Sequence, residues 1–238
     1  MKAEASIGVI GAMESEVAQL RGALAGTEVT KFSGLTFYSG TLGTHRVVLV
    51  RCGVGKVNAA RCAQMLIDRY GVDCIVNTGI AGGVGAGLAV ADVVIGTELV
   101  QHDFNAVAFG YARGNICDPT HRETPSVFRS DPELIAAFRA AAETLIAPAR
   151  VKTGRIATGD LFVASAEAKR DIAETFGAVA AEMEGGAIAQ VAAMAGVPFI
   201  VLRAISDLAD GSSPASFDAF EQETADLSAA ILRKLIEG

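Results

Sequence analysis

The chain has 238 residues, 51% of them apolar and 20% charged, with a formal net charge of −7. That length suits one α/β domain or two small ones, and the apolar content excludes a disordered chain. A pI near 5.0 and the lack of any Lys/Arg run argue against a nucleic-acid partner.

Elements follow in alternation. "SIGVIGAM" is a continuous apolar run, as a strand buried on both faces should be. "MESEVAQLRGAL" places Met13, Val17, Leu20 and Leu24 at helical spacing. "LTFYSGTLG" and "HRVVLVRCG" alternate around a turn and predict a hairpin. "KVNAARCAQMLIDRYG" predicts a helix stopped by Gly71. "DCIVNTG" and "DVVIGTELV" predict strands on either side of a glycine loop, Gly79 to Gly87. Residues 101 to 130 form a long irregular segment with aromatics, the kind of loop that often carries function. Asp131 as N-cap and Pro132 at the first position open a helix, "RVKTGRIATG" is a strand, and Ser165 caps another helix. From Glu182 onward the small and straight-chain residues predict a helix ended by Gly196-Val197-Pro198, with 187, 188, 191 and 195 as its buried face. Strand "PFIVLRAISD" and a last helix from about Phe217 to Ile236 complete the chain. Without linker, repeat or low-complexity stretch, this predicts a single α/β domain over residues 1–238. Its architecture is three-layer α/β/α around a mixed, largely parallel twisted sheet.

The four cysteines show no C-x-x-C and no neighbouring His cluster, so neither a zinc site nor a disulfide framework is expected. That usage fits a reducing cytoplasm. The opening residues hold only a short apolar run ending in acids, unlike a signal peptide. Between Asp73 and Asp92 lie 18 uncharged residues, but five are glycines, which favours a buried strand and loop over a membrane span.

Ligands in such folds sit beyond the carboxyl ends of strands. Glu14 and Glu16 point about 200° apart on a helix, and Glu16 shares the face of Met13 and Leu20. First-turn acids commonly just complement the macrodipole. Glu184 extends the apolar stripe of its predicted helix, where a carboxylate is costly unless paired. It could instead accept free backbone N–H groups at the helix start. Arg203 interrupts an apolar strand and Asp207 follows it, which suits a site or an internal ion pair. Three acids and an arginine at one sheet edge would form a constellation. "GVGK" lacks P-loop spacing, "GIAGGVGAG" is no dinucleotide fingerprint, and no Ser/His/Asp or Cys/His set stands out.

The segments "IGVIGAMESEV", "CGVGKVNAA", "NTGIAGG", "HDFNAVAFGY", "TGDLFVAS", "AAEMEGGAIAQV" and "VLRAISDLAD" occur in this order across residues 7 to 210. Together they resemble the 5′-methylthioadenosine/S-adenosylhomocysteine nucleosidases of the purine nucleoside/uridine phosphorylase superfamily. The resemblance implies hydrolysis of an adenine thionucleoside to adenine and a thioribose, in methionine salvage, with no cofactor and no metal. It implies that Glu16 deprotonates the attacking water, that Asp207 protonates adenine N7, and that Glu184 holds the ribose hydroxyls. Met183 lies beside the ribose, Phe162 stacks on adenine, and the Val163 backbone meets its Watson–Crick edge. Gly82 belongs to the glycine loop under the nucleoside, Arg203 lies near the water, and Met13 joins the substrate-binding set. Phe109 and Tyr111 resemble aromatics lent by a partner subunit, which implies a homodimer.

Physical logic agrees with these roles. Cleavage toward an oxocarbenium-like state needs a carboxylate at the sugar and a proton donor at the base, so Asp207 is expected to have a raised pKa. On this reading Glu184 is buried because its partner is ligand rather than protein. Phosphorolytic relatives carry a phosphate-binding arginine after the first strand, where this chain has Ala-Met-Glu-Ser-Glu. Departures from the family are Ile80 where a serine is common, Phe104-Asn105 in place of a D-x-D pattern, and "GNICDPTH". Alternatives are a futalosine or aminodeoxyfutalosine nucleosidase and a nucleoside-binding homologue without catalysis.

Overall fold

The computed structural model describes residues 5–210 and 213–237. Among them one sheet carries all ten strands. Its parallel centre runs β4 (His45–Arg51), β1 (Ser6–Gly11), β5 (Cys74–Gly83) and β10 (Phe199–Asp207). Ile7, Val9 and Ile10 of β1 are at most 1% exposed, which is why that strand reads as a continuous apolar run.

Beyond this centre the sheet closes on itself. β10 pairs antiparallel with β6 (Val93–Gln101), and β6 pairs parallel with β8 (Val151–Thr158). β8 pairs parallel with β9 (Ala178–Glu182), which returns antiparallel to β5 through Gly82 and Gly83. Five strands thus make a small barrel. β7 (Phe128–Arg129) adds a short pairing to β6. On the other side β4 continues antiparallel into β3 (Leu35–Leu42) and β2 (Ala25–Phe32). Parallel and antiparallel pairings come out even, because the meander and the barrel closure both add antiparallel contacts to the parallel centre.

Helices cover both faces. α1 (Glu14–Ala23), α3 (Pro132–Glu143) and α6 (Ser213–Glu237) pack on one, through residues such as Val17, Phe138 and Ile231. α2 (Lys56–Tyr70) and α5 (Gly185–Ala195) pack on the other through Leu66 and Ile188, while α4 (Ala166–Phe176) lies over the barrel through Ile172 and Phe176. Asp131 and Ser165 cap α3 and α4 by accepting backbone N–H bonds, as expected.

Four features differ from the sequence reading. β2 was not expected: seven of its eight residues are exposed, so it has no buried face to generate alternation. β5 runs on through Gly79–Gly83, so the first half of the glycine loop is strand. The expected helix from Glu182 is split, with Glu182 ending β9 and α5 starting only at Gly185. The buried residues of α5 are 185–189 and 192, so 187 and 188 are buried as expected, whereas Val191 is half-buried and Ala195 is exposed. No helix among the described residues is long and apolar enough to cross a membrane.

Candidate active site

The ends of β1, β4, β5, β8, β9 and β10 converge on a cavity of about 220 Å³. Met13, Glu16, Gly82, Phe162, Val163, Met183, Glu184 and Asp207 all line it. Arg203 does not, and neither do Phe109 or Tyr111. Among the described residues no lysine or arginine reaches the lining, and no group of His, Cys, Asp and Glu is arranged to hold a metal ion.

Glu16 follows the helical-face argument. It is buried, whereas Glu14 is exposed and pairs with Arg21 at 2.6 Å. Glu16 Oε2 accepts from the N–H groups of Ala12 (2.6 Å) and Met13 (3.0 Å), and Oε1 accepts from Ile80 N–H (3.2 Å). The acid is thus tied to the ends of two strands. A Cβ on Gly79 would collide with Oε1, so glycine there makes room for the carboxylate. Burial raises the Glu16 pKa against the opposing pull of Arg203 and the three N–H donors.

Glu182 and Glu184 are both buried. A helix would splay them, but they sit in a strand end and turn that aim both at the cavity wall. Glu182 takes the structural role. Its carboxylate accepts from Arg203 Nη2 and Thr158 Oγ1, and from the N–H groups of Glu184 (3.0 Å) and Gly185 (2.7 Å) at the start of α5. Arg203 is held behind the cavity by Glu182 and by the Asn77 side chain, 3.9 Å from Glu184 Oε2. Burial disfavours its charge, but Glu182, Glu184 and Glu16 together raise its pKa. Among the described residues its Nε has no partner.

Glu184 is the N-cap residue of α5, but its side chain makes no capping bond there and instead accepts from the N–H of Gly55, the N-cap residue of α2, at 2.8 Å. The expectation that it lacks a protein partner is therefore corrected. One oxygen is engaged by backbone, and the acid still borders the cavity. Burial, then the neighbouring Glu182 charge, push its pKa up to about 8 despite Arg203 and Gly55.

Asp207 ends β10 after a bulge at Ser206, where the register with β5 slips by one residue. Its Oδ1 accepts from Ala209 N–H (2.8 Å) and Oδ2 from the Ser206 hydroxyl (3.0 Å). Leu161, Phe162 and Val163, which follow β8, also line the cavity, and Phe217 of α6 meets the Phe162 ring edge-on at 5.7 Å.

Phe109 stands 74% exposed on the 101–130 segment, and Arg122 lies 4.3 Å from the Tyr111 ring centroid. Sequence reasoning missed Glu182, Ser206 and Phe217. No local signal marked Glu182, because β9 is a short, nearly fully buried alanine-rich strand without alternation.

Comparison with known proteins agrees with this geometry. The sequence pattern of the phosphorylase superfamily matches residues 6–237. A 5′-methylthioadenosine/S-adenosylhomocysteine nucleosidase of Anoxybacillus flavithermus is 42% identical, covering 97% of this chain and 97% of its own. The crystal structure of the Neisseria meningitidis nucleosidase of that name, in complex with methylthio-immucillin-A, superposes with a TM-score of 0.91 at 41% identity, covering 98% of each chain. A futalosine hydrolase structure from Helicobacter pylori gives 0.89 at 33% identity, again over 98% of each. Similarity at this level along nearly the whole length, in sequence and backbone alike, means that the chain belongs to the phosphorylase superfamily, in its 5′-methylthioadenosine/S-adenosylhomocysteine nucleosidase branch.

Proposed function

We propose that the chain hydrolyses the N-glycosidic bond of 5′-methylthioadenosine and S-adenosylhomocysteine, releasing adenine and the thioribose. One observation carries the reading: Glu16, Glu184 and Asp207 surround a single cavity whose other walls are largely apolar. Glu16 takes a proton from water, whose oxygen bonds to C1′ as the bond from C1′ to the base nitrogen breaks. Asp207 gives its proton to N7, so adenine leaves neutral. Glu184 accepts hydrogen bonds from the ribose hydroxyls and faces the developing sugar cation. Phe162 stacks on the base, Val163 offers backbone to its edge, Gly82 lies under the nucleoside, and Met13 and Met183 pack beside the sugar. Arg203 holds the acid cluster from behind.

Water rather than phosphate is supported by the lining, which among the described residues holds four carboxylates and no lysine or arginine, while Arg203 behind it is already engaged by Glu182. Residues 1–238 act as one domain, a reading supported by the single sheet. The protein works in methionine salvage in the cytoplasm, which its four free cysteines suit. It works as a homodimer in which Phe109 and Tyr111 reach the neighbour's pocket, a placement supported by the exposure of Phe109.

The test is adenine release from 5′-methylthioadenosine, S-adenosylhomocysteine and aminodeoxyfutalosine, with and without phosphate. Release that needs phosphate and yields a sugar phosphate would sink the hydrolytic reading. Strong preference for aminodeoxyfutalosine would reassign the substrate to that of the Helicobacter relative. Binding without turnover would make the protein a nucleoside receptor.

A further inference from the structure

α2 starts against a local rule. Its first residue is Lys56, and its first turn holds no acid, although a helix N-terminus favours negative charge. The missing acids come from elsewhere in the chain. Gly55 N–H donates to Glu184 Oε1 and Lys56 N–H donates to Asp160 Oδ1, each at 2.8 Å. The Lys56 ammonium donates to Asp103 Oδ1 (2.6 Å) and Gln101 Oε1 (3.3 Å). Asp103 Oδ2 accepts from Asp160 N–H at 2.9 Å. Lys56, Asp103 and Asp160 thereby close a three-membered ring across the ends of β4, β6 and β8.

The ring joins two parts of the cavity. Lys56 follows Gly55, which grips Glu184 and lies at φ +100°, and a Cβ there would sit 3.0 Å from Asp160 Oδ1. Asp160 precedes Leu161, Phe162 and Val163, which also line the cavity. The Lys56 and Asp103 side chains are only 18% and 27% exposed, so solvent competes weakly for either. Burial works against the Asp103 charge, yet Lys56 and the Asp160 N–H bring its pKa below the ordinary carboxylate value.

We infer that Lys56, Asp103 and Asp160 are positioning residues that set the spacing between the Glu184 side and the Phe162–Val163 side of the cavity. The inference rests on the nucleosidase reading for what those two sides bind. Loosening the ring should disturb sugar recognition and base recognition together, because it ties both to the start of α2.

The experiment compares the full-length wild type with Lys56→Met, Lys56→Arg, Asp103→Asn and the Met/Asn double variant. It measures kcat/KM for ribo- and 2′-deoxyribo-methylthioadenosine, the affinity for free adenine by calorimetry, and the unfolding midpoint. Lys56→Met and Asp103→Asn should each lose on the order of tenfold or more in kcat/KM. Each should also narrow the ribo/deoxy preference and weaken adenine. Lys56→Arg should restore most of all three, and the double variant should be no worse than either single one. A lowered midpoint with wild-type discrimination and adenine affinity would reduce the ring to a structural brace and overturn the inference. So would losses that multiply in the double variant. A wild type that binds adenine without turnover removes the hydrolytic reading alone, and unchanged adenine affinity in Lys56→Met then still overturns the ring. A wild type that binds no adenine removes both.

Discussion

Glu14 and Glu16 are two residues apart and differ in almost everything else. Glu14 faces water and Arg21, whereas Glu16 is held by three backbone donors at the cavity. Glu16→Gln should lower kcat by about 10²–10⁴-fold with little loss of fold, and Glu14→Gln should leave it unchanged. Comparable losses at both positions, in kinetics on purified variants, would defeat the assignment. At Glu184 the folded state retains a proton that the unfolded chain loses above 4.5, its ordinary value, and keeps it up to about 8. With more protons bound folded than unfolded, stability falls as pH rises through that window. Urea midpoints of the ligand-free protein should therefore decline between about pH 5 and pH 8, and less steeply in Glu184→Gln. That variant should also lose preference for ribose over 2′-deoxyribose, since an amide cannot ionise to the carboxylate that accepts from the ribose hydroxyls when substrate binds. Glu182→Gln is expected to behave differently. It breaks a buried pair with Arg203 and should cost about 3–5 kcal/mol in urea denaturation. The two acids of "EME" could not be separated in this way from sequence. Helical periodicity assigns one inward and one outward, and only knowing that a strand ends at Glu182 makes both inward.

At the scale of elements, the site depends on strand ends more than on helices. β5 carries both Ile80, whose N–H anchors Glu16, and Gly82, which pairs with β9 and meets Asp207 in register. Gly79→Ala should drive the Glu16 carboxylate out of place and lower kcat/KM by about 10²-fold, with the far-UV spectrum intact. Full activity in that variant would mean that Glu16 has slack the structure does not show. Elements with one buried face or a recognisable cap were legible from sequence, as α3 and α4 with Asp131 and Ser165 illustrate. β2 was not, because an exposed edge strand has no apolar side to mark it. β9 was hidden for the opposite reason. It is short, buried and alanine-rich, and it runs straight into a helix of similar composition.

For the whole molecule, Phe109 and Val107 are both exposed, and the proposed homodimer would cover them. Sedimentation should show a dimer at assay concentrations, and Phe109→Ala should raise KM for the thionucleoside with little change in the monomer's stability. A fully active monomer would remove the shared-pocket reading. The three-layer order was legible from the alternation of strands and helices, but closure of the sheet was not, since pairing partners of distant strands leave no mark in local periodicity. That closure bears on the order in which the protein can be made. β10, the last strand, lies between β5 and β6, both of which leave the ribosome far earlier. Until residues 199–207 emerge, residues 74–83 and 93–101 present unpaired apolar edges. The strand that fills this gap also delivers Arg203 and Asp207. The nascent chain is therefore most prone to aggregate just before Asp207 completes the cavity, and chaperone dependence during synthesis should end abruptly with the emergence of β10.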